Sequence, residues 1–419
     1  MQAYGERARY RDVFAVPEFR VLWLAQLLSV AGDQLARVAM TVLVFQHTRS
    51  ALWTAVTYSV TFLPWIIGGV ALSGLADKLP RREVMIACDL IRAALVVAMI
   101  TPGLALWAKV CLLFAVTLLD SPFKSARAAM YADILTGDRY VLATAVTQTT
   151  LQFGMVAGFA LGGVVVAFLG APTALGADAA TFVLSALLIL SGVRARPAAA
   201  ARDDGGRAPG AEISAGVRLV FANRELRSLM LIGWLVAFYV VPQGLAAPYA
   251  AQSHEMPTAV AAGLIFAAGP FGTAVGAVVF GRLVEPRLRL SLMGPLAVAA
   301  CASLVLCVMH PELLISLAIF TASGACAAYQ LAANAAFVSA VPNHRRGQAF
   351  GLANGGMQVT QGIWFILAGA AAERMTPAMV IAISGGIGAA LAVTLAVSWH
   401  RWHARTADPA IAARQPGSS

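Results

Sequence analysis

Charge is scarce in this chain. Asp, Glu, Lys and Arg make up 12% of its 419 residues, while 59% are hydrophobic. A soluble domain carries roughly a quarter charged residues, so a chain this apolar cannot cover a water-facing surface, and a large soluble protein is excluded. Acid is scarcest in the second half, whose apolar runs hold no Asp or Glu except Glu312 near a helix end, with Glu373 just beyond another. Cysteine is sparse too. Cys88, Cys111, Cys301, Cys307 and Cys326 lie within apolar runs without a Cys-x-x-Cys pair, which suggests neither a metal site nor a disulfide framework and leaves them as small core residues. No Gly-x-x-x-x-Gly-Lys-Ser/Thr loop, zinc spacing or catalytic triad is present, so the expectation is no ATP, no cofactor, no metal and no enzymatic activity. The net charge of +10 does not point to nucleic acid, because the bases sit at the ends of apolar runs rather than in a stripe with aromatics.

What is present is a succession of apolar runs near the 20 residues that cross a bilayer. Six read as spans at Arg20–Phe45, Ala51–Ser73, Val84–Leu106, Lys109–Leu135, Val141–Leu169 and Pro172–Gly192. Six more read at Leu226–Tyr249, Pro257–Arg282, Leu288–Met309, Pro311–Val341, Gly347–Ala372 and Pro377–Trp399. The first run begins near Arg20, is too long for a signal core and carries Asp33 and Arg37, so it reads as a span, not a cleavable leader. The expected organisation is an N-terminal arm (1–19), a six-helix bundle (20–192), an Ala/Pro-rich linker (193–223), a second six-helix bundle (224–400) and a disordered tail (401–419). Within the linker, Ile213–Phe221 reads as a short interfacial helix. With both termini in the cytoplasm, 25 Lys and Arg face that side and only Arg49, Lys109 and Arg374 the other, as the positive-inside rule requires. The expected location is the plasma (inner) membrane, multi-pass, in a chain that is monomeric.

The two bundles repeat. Glu18, Arg20, Leu22 and Leu24 recur 207 residues later as Glu225, Arg227, Leu229 and Leu231; Pro64, Pro80, Arg81 and Arg139 recur at 206 as Pro270, Pro286, Arg287 and Arg345. Repeats of six helices share one orientation, which places a substrate path between them near mid-bilayer.

The loop Ser73-Gly-Leu-Ala-Asp-Lys-Leu-Pro-Arg-Arg82 resembles the signature loop of the major facilitator superfamily, Gly-x-Leu-Ala-Asp-Arg-x-Gly-Arg-Arg, with Ser73 and Pro80 where glycine is usual. Gly154-Met-Val-Ala-Gly158-Phe-Ala-Leu-Gly162-Gly163 resembles the family's fifth-helix motif, associated with exporters, with Phe159 in place of a proline. Val341-Pro-Asn-His-Arg-Arg-Gly347 resembles the turn before the eleventh helix, and the stretch from Ser125 to Gln148 is similar to the branch containing enterobactin-type and macrolide-type exporters. The resemblance implies twelve transmembrane helices in two pseudo-repeated bundles and a secondary active transporter. It also implies proton-coupled efflux of a small amphipathic compound (drug, siderophore or secondary metabolite), with an uptake symporter or a transport-inactive receptor as alternatives. The partners expected are that small molecule, protons and the lipid bilayer.

Candidate residues follow from charge and polarity inside spans. Asp33 is costly in hydrocarbon, and burial favours its protonated form; Arg37, one turn on along the same face, is its expected partner, either a switchable counterion or half of a static pair. Asp120, Lys124 and Arg127 share one face of the fourth span, either meeting a polar substrate or forming a cluster at the cytoplasmic mouth; Pro122 should kink that helix. Asp89 and Arg92 read as a structural pair near the signature loop, and Asp178 as a group near the outer end. Val240 stands where the repeat would place a second Asp33. Tyr239, Gln243, Gln330, Asn334 and Gln358 are neutral polar candidates for the substrate cavity, or interhelical hydrogen bonders. Gly154, Gly158 and Gly162, with Gly163, form a close-packing face, and Gly347, Gly351 and Gly355 a second. Finally Ser73, Gly74, Asp77, Lys78, Arg81 and Arg82 form the expected cytoplasmic gate, with Asp77 facing a helix start near Gly347.

Overall fold

The computed structural model describes residues 9–64, 79–196, 217–252, 256–342 and 345–406. Among them all regular structure is helical. In the first half, α1 (Tyr10–Phe14) leads into α2 (Pro17–Thr48), followed by α3 (Ala51–Ser59), α4 (Arg81–Ile100), α5 (Leu106–Leu118), α6 (Asp120–Ile134), α7 (Asp138–Leu169) and α8 (Ala171–Gly192). The second half comprises α9 (Arg224–Trp234), α10 (Val236–Tyr239), α11 (Val241–Gly244), α12 (Ala246–Ala250), α13 (Thr258–Leu283), α14 (Pro286–Ala302), α15 (Leu313–Cys326), α16 (Tyr329–Ala340), α17 (Arg346–Ala372) and α18 (Pro377–Thr406). Nine helical stretches of the described residues are long and apolar enough to cross a membrane, and α3, α4 and α17 occupy the places of the second, third and eleventh expected spans.

Local chemistry sets the boundaries. Pro17 and Pro286 open helices where a missing N–H costs nothing, and Ser50 caps α3 by accepting from Trp53 N. Gly170, at φ 84°, makes the sharp turn between α7 and α8. The fourth span breaks into α5 and α6 at Leu119, one turn before Pro122. The seventh is broken at Leu235, Val240 and Leu245. Here Pro242 removes the N–H that would bond the Phe238 carbonyl, and Ser384 of α18 donates to that carbonyl instead, at 2.9 Å. The expected tail also begins differently. Helix α18 runs on through Thr406, so residues 401–406 are helical rather than disordered. Residues 217–222 of the linker are helical as well.

The halves meet at the end that carries the α2–α3 and α17–α18 turns. There α7 packs along α13, and α3 along α17. Glu373, just past α17, accepts from Ser50 Oγ at 2.6 Å and from Leu52 N at 2.8 Å, so it binds the N-terminus of a helix in the opposite half. About two turns further along α3, Ser59 Oγ donates to the Gly362 carbonyl at 3.1 Å. At about the same level, Tyr58 and Phe62 of the first half interlock with Phe266 and Phe365 of the second, at ring separations of 5.0–5.4 Å. Phe159 stacks on Phe266 at 5.1 Å. Toward the opposite end no hydrogen bond joins the halves among the described residues. Asn334 and Asn354 are exposed there, and polar amides in spanning helices face water rather than hydrocarbon. The exposed amides mark a water-facing cleft toward the α4 and α14 starts.

Candidate functional site

Two adjoining regions of unlike chemistry line the middle of the molecule. The first is ionic and lies wholly in the first half. Arg92 of α4, 1% exposed, donates from Nη2 to Asp33 Oδ1 of α2 at 2.9 Å. Its other terminal nitrogen lies 3.9 Å from both Asp89 and Asp120, and its guanidinium stacks 4.1 Å over the Phe182 ring. Asp89 accepts a 2.6 Å hydrogen bond from Ser185. Asp120 is bonded by Lys124 one turn along α6. Asp178 of α8 is 1% exposed, and its Oδ1, seated over Gly32, has no hydrogen-bond partner. Asp33, Arg37, Arg92, Asp120, Asp178 and Thr61 line one cavity of about 20 Å³, room for a single water.

This arrangement corrects several expectations. The partner bonded to Asp33 is Arg92, not Arg37. Helical spacing places Arg37 on the same cavity, but α4 packs so that Arg92 reaches across to α2. Asp89 and Arg92 do not form an isolated pair at the loop, since the arginine is shared among acids from three helices. Asp178 is not an outer-end group but a wall of this cavity. The Asp120–Lys124–Arg127 face divides: Asp120 turns to Arg92, Lys124 bonds Asp120 while remaining partly exposed, and Arg127 stacks on Phe123 at 5.6 Å.

The second region, a cavity of about 140 Å³, lies chiefly in the other half and carries no charged side chain. Tyr239, Gln243, Thr273 and Phe320 line it, with Gln152 contributed by α7. Tyr58 OH donates to Gln243 Oε1 at 2.9 Å across the halves. Of the neutral candidates, Tyr239 and Gln243 face this cavity. Gln330 is instead an interhelical bonder, donating to the Gly233 carbonyl at 2.9 Å and to Tyr239 OH at 3.4 Å. Gln358 accepts from Gln361 at 3.4 Å, and Asn334 is exposed in the cleft. Tyr58, Gln152, Thr273, Phe320 and Glu373 were not legible as site residues. The nearest sequence signals were the prolines that line the cavity, Pro242 beside a helix break and Pro270 inside the unbroken α13.

The glycines separate by neighbour. A Cβ on Gly158 would lie 2.9 Å from the Ala31 carbonyl, and one on Gly162 3.1 Å from Leu35 Cα, both on α2; Gly154 faces Val30 and Leu27 of the same helix. Gly163 faces across the halves, 2.7 Å from the Ala259 carbonyl and 3.0 Å from Gly263 Cα on the same construction. Gly351 and Gly355 have no described neighbour within 4 Å of such a carbon; residues 65–78 lie outside the described residues. Of the signature loop, Arg81 bonds Asp133 and the Ala129 carbonyl, and Arg82 bonds the Leu190 carbonyl, all within the first half. Ser73, Gly74, Asp77 and Lys78 lie outside the described residues.

Two helical halves around a membrane-embedded cleft, with buried charge on one side and neutral polar groups on the other, define a transport protein rather than an enzyme. The chain belongs to the Major Facilitator Superfamily, whose model matches residues 22–320 and 245–417. It is similar to the enterobactin exporter EntS of Salmonella typhimurium, 27% identical over 281 residues, 64% of each chain; the match thus spans under two thirds of that exporter's length. It is also similar to the multidrug efflux pump Tap of Mycobacterium tuberculosis, 28% identical over 319 residues, covering 70% of this chain and 72% of that one. Among solved structures, a POT family transporter in complex with 5-aminolevulinic acid superposes with a TM-score of 0.73 at 11% identity, covering 92% of this chain and 98% of that one. The nucleoside transporter NupG gives 0.68 at 14% identity, covering 90% and 99%. At such identities these structures speak for the fold alone.

Proposed function

We propose that the protein is a proton-driven exporter of a small amphipathic compound, working by alternating access in the plasma membrane with both termini in the cytoplasm. The observation that carries this is the sharing of Arg92 among Asp33, Asp89 and Asp120 beside a charge-free cavity. When Asp33 takes a proton, Arg92 loses its 2.9 Å partner and is drawn toward Asp89 and Asp120, each 3.9 Å away. One buried cation with two resting places is a bistable element that protonation can bias, as coupled transport needs. The neutral cavity across the cleft suits the uncharged part of an amphipathic ligand.

In this orientation the sealed Glu373 end is outer and the cleft opens to the cytoplasm, the loading state of an exporter. The named activities of EntS and Tap support the outward direction. Asp77 is proposed as the latch that closes the cytoplasmic side in the opposite state, which Asp77→Asn with two-sided accessibility labelling addresses. The central test is proton movement in liposomes holding the purified chain. Compounds selected by a growth screen of a deletion strain should drive protons opposite to themselves. Co-directional movement would make it a symporter, and no ligand-dependent proton movement would end the transport reading.

A further inference from the structure

Resting on that reading, we infer that the 140 Å³ cavity receives a single uncharged ring of the substrate bearing a hydroxyl or amide N–H. We infer further that this donor competes with Tyr58 for Gln243 and so loosens the outer seal. Size sets the first part. A dry cavity of about 150 Å³ holds one benzene, so this one admits one ring and leaves the rest of the ligand in the cleft. Chemistry sets the second. The lining offers Tyr239, Gln243, Thr273 and Gln152 beside Phe320 and no ionised group, so a charged head is poorly served here and a phenol-like or anilide-like one well served.

Gln243 belongs to the cavity and the seal at once. Its side-chain oxygen accepts from Tyr58 OH at 2.9 Å, and Tyr58, 2% exposed, is the ring around which the seal is built. It touches Phe62 of its own half and both Phe266 and Phe365 of the other, at 5.4, 5.2 and 5.0 Å. Gln243 rides on α11, a four-residue segment between the breaks at Val240 and Leu245, so it can shift without unwinding a long helix. That oxygen has two lone pairs, so a ligand donor on it shares the acceptor with Tyr58, draws Gln243 toward the cavity and weakens the cross-half bond, reaching the seal through one residue.

The test uses the full-length protein in nanodiscs, without a gradient, in a Cys111→Ser background because Cys111 is the exposed native cysteine. A cysteine at Ala55, buried against Gly369, reacts with maleimide only when the sealed end opens; one at Ala51 is the second reporter. The probes are phenol, which carries the donor, and toluene, which matches its shape without it. Phenol should raise labelling about fivefold, the worth of one hydrogen bond of about 1 kcal/mol, and toluene should give no comparable rise. Tyr58→Phe should raise labelling about fivefold with no probe, for the same lost bond, and abolish the further effect of phenol. Equal action of phenol and toluene, or a Tyr58→Phe protein that labels and responds like the parent, overturns the inference. Because no transport is measured, either outcome is independent of the proton-flux test of export.

Discussion

Arg92 and Asp33 sit on different helices and are joined by a 2.9 Å hydrogen bond in a site where Arg92 is almost wholly buried. The pair is asymmetric. Asp33 has one bonded partner, while Arg92 has further acids within 4 Å. Neutralising Asp33 therefore leaves the arginine with company, whereas removing Arg92 leaves Asp33 and Asp89 without their cation. Asp33→Asn is expected to keep its melting temperature in detergent within a few degrees while losing pH-gradient-driven transport. Arg92→Leu is expected to lose roughly 3–5 kcal/mol of stability, as broken buried pairs do. Equal melting of the two variants would deny the asymmetry.

The Glu373 contact makes a pH prediction. Hydrogen bonds from Leu52 N and then Ser50 hold its carboxyl below the ordinary glutamate value of 4.5, and the carboxylate faces the positive end of α3. A group whose pKa is lowered in the joined state favours that state above its free pKa and ceases to do so as pH falls through the lowered value. Acidifying the face that carries Glu373 below about 4.5 should therefore raise labelling of a cysteine at Ala51 or Ala55, and at neutral pH Glu373→Gln should reproduce part of that rise. A pH response that persists in Glu373→Gln would assign it to another group.

At the end opposite the Glu373 contact, Arg81 and Asp133 form a partly exposed pair within one half, with side chains 18% and 36% exposed. Such pairs are worth about 0–1 kcal/mol and weaken with salt. Arg81→Ala should consequently move the melting temperature little. If the loop also gates, it should shift inside-to-outside accessibility more than it shifts stability, and Asp133→Asn should do the same.

The fold was legible because hydrophobic run length and the Lys/Arg bias are properties of single segments, and the repeat offset ties two segments together without geometry. Asp33 was legible for the same reason: an acid in an apolar run is conspicuous wherever the run lies. Its partner was not. Arg37 was the best choice available from spacing along one helix, but the choice between Arg37 and Arg92 depends on how α4 packs against α2, a long-range fact. Glu373 is the sharper case, since its bond to Leu52 spans 321 residues of sequence.

The fifth-helix glycines now separate two effects that the motif alone merges. Gly158 lies against the Ala31 carbonyl of α2, inside one half, so a side chain there pries apart helices that must stay packed in every state. Gly163 lies against Ala259 and Gly263 of α13, across the boundary that must part when the sealed end opens. Overpacking costs typically about 1–3 kcal/mol, and where it falls decides what it does. Gly158→Ala should lower the melting temperature and leave the labelling of Ala55→Cys unchanged. Gly163→Ala should penalise only the sealed state, raising that labelling roughly five- to 150-fold, the Boltzmann equivalent of the same cost, while the melting temperature falls less than in Gly158→Ala. If both variants melt early and label alike, the two glycines serve one packing role, and the α7–α13 contact is not the surface on which the halves part.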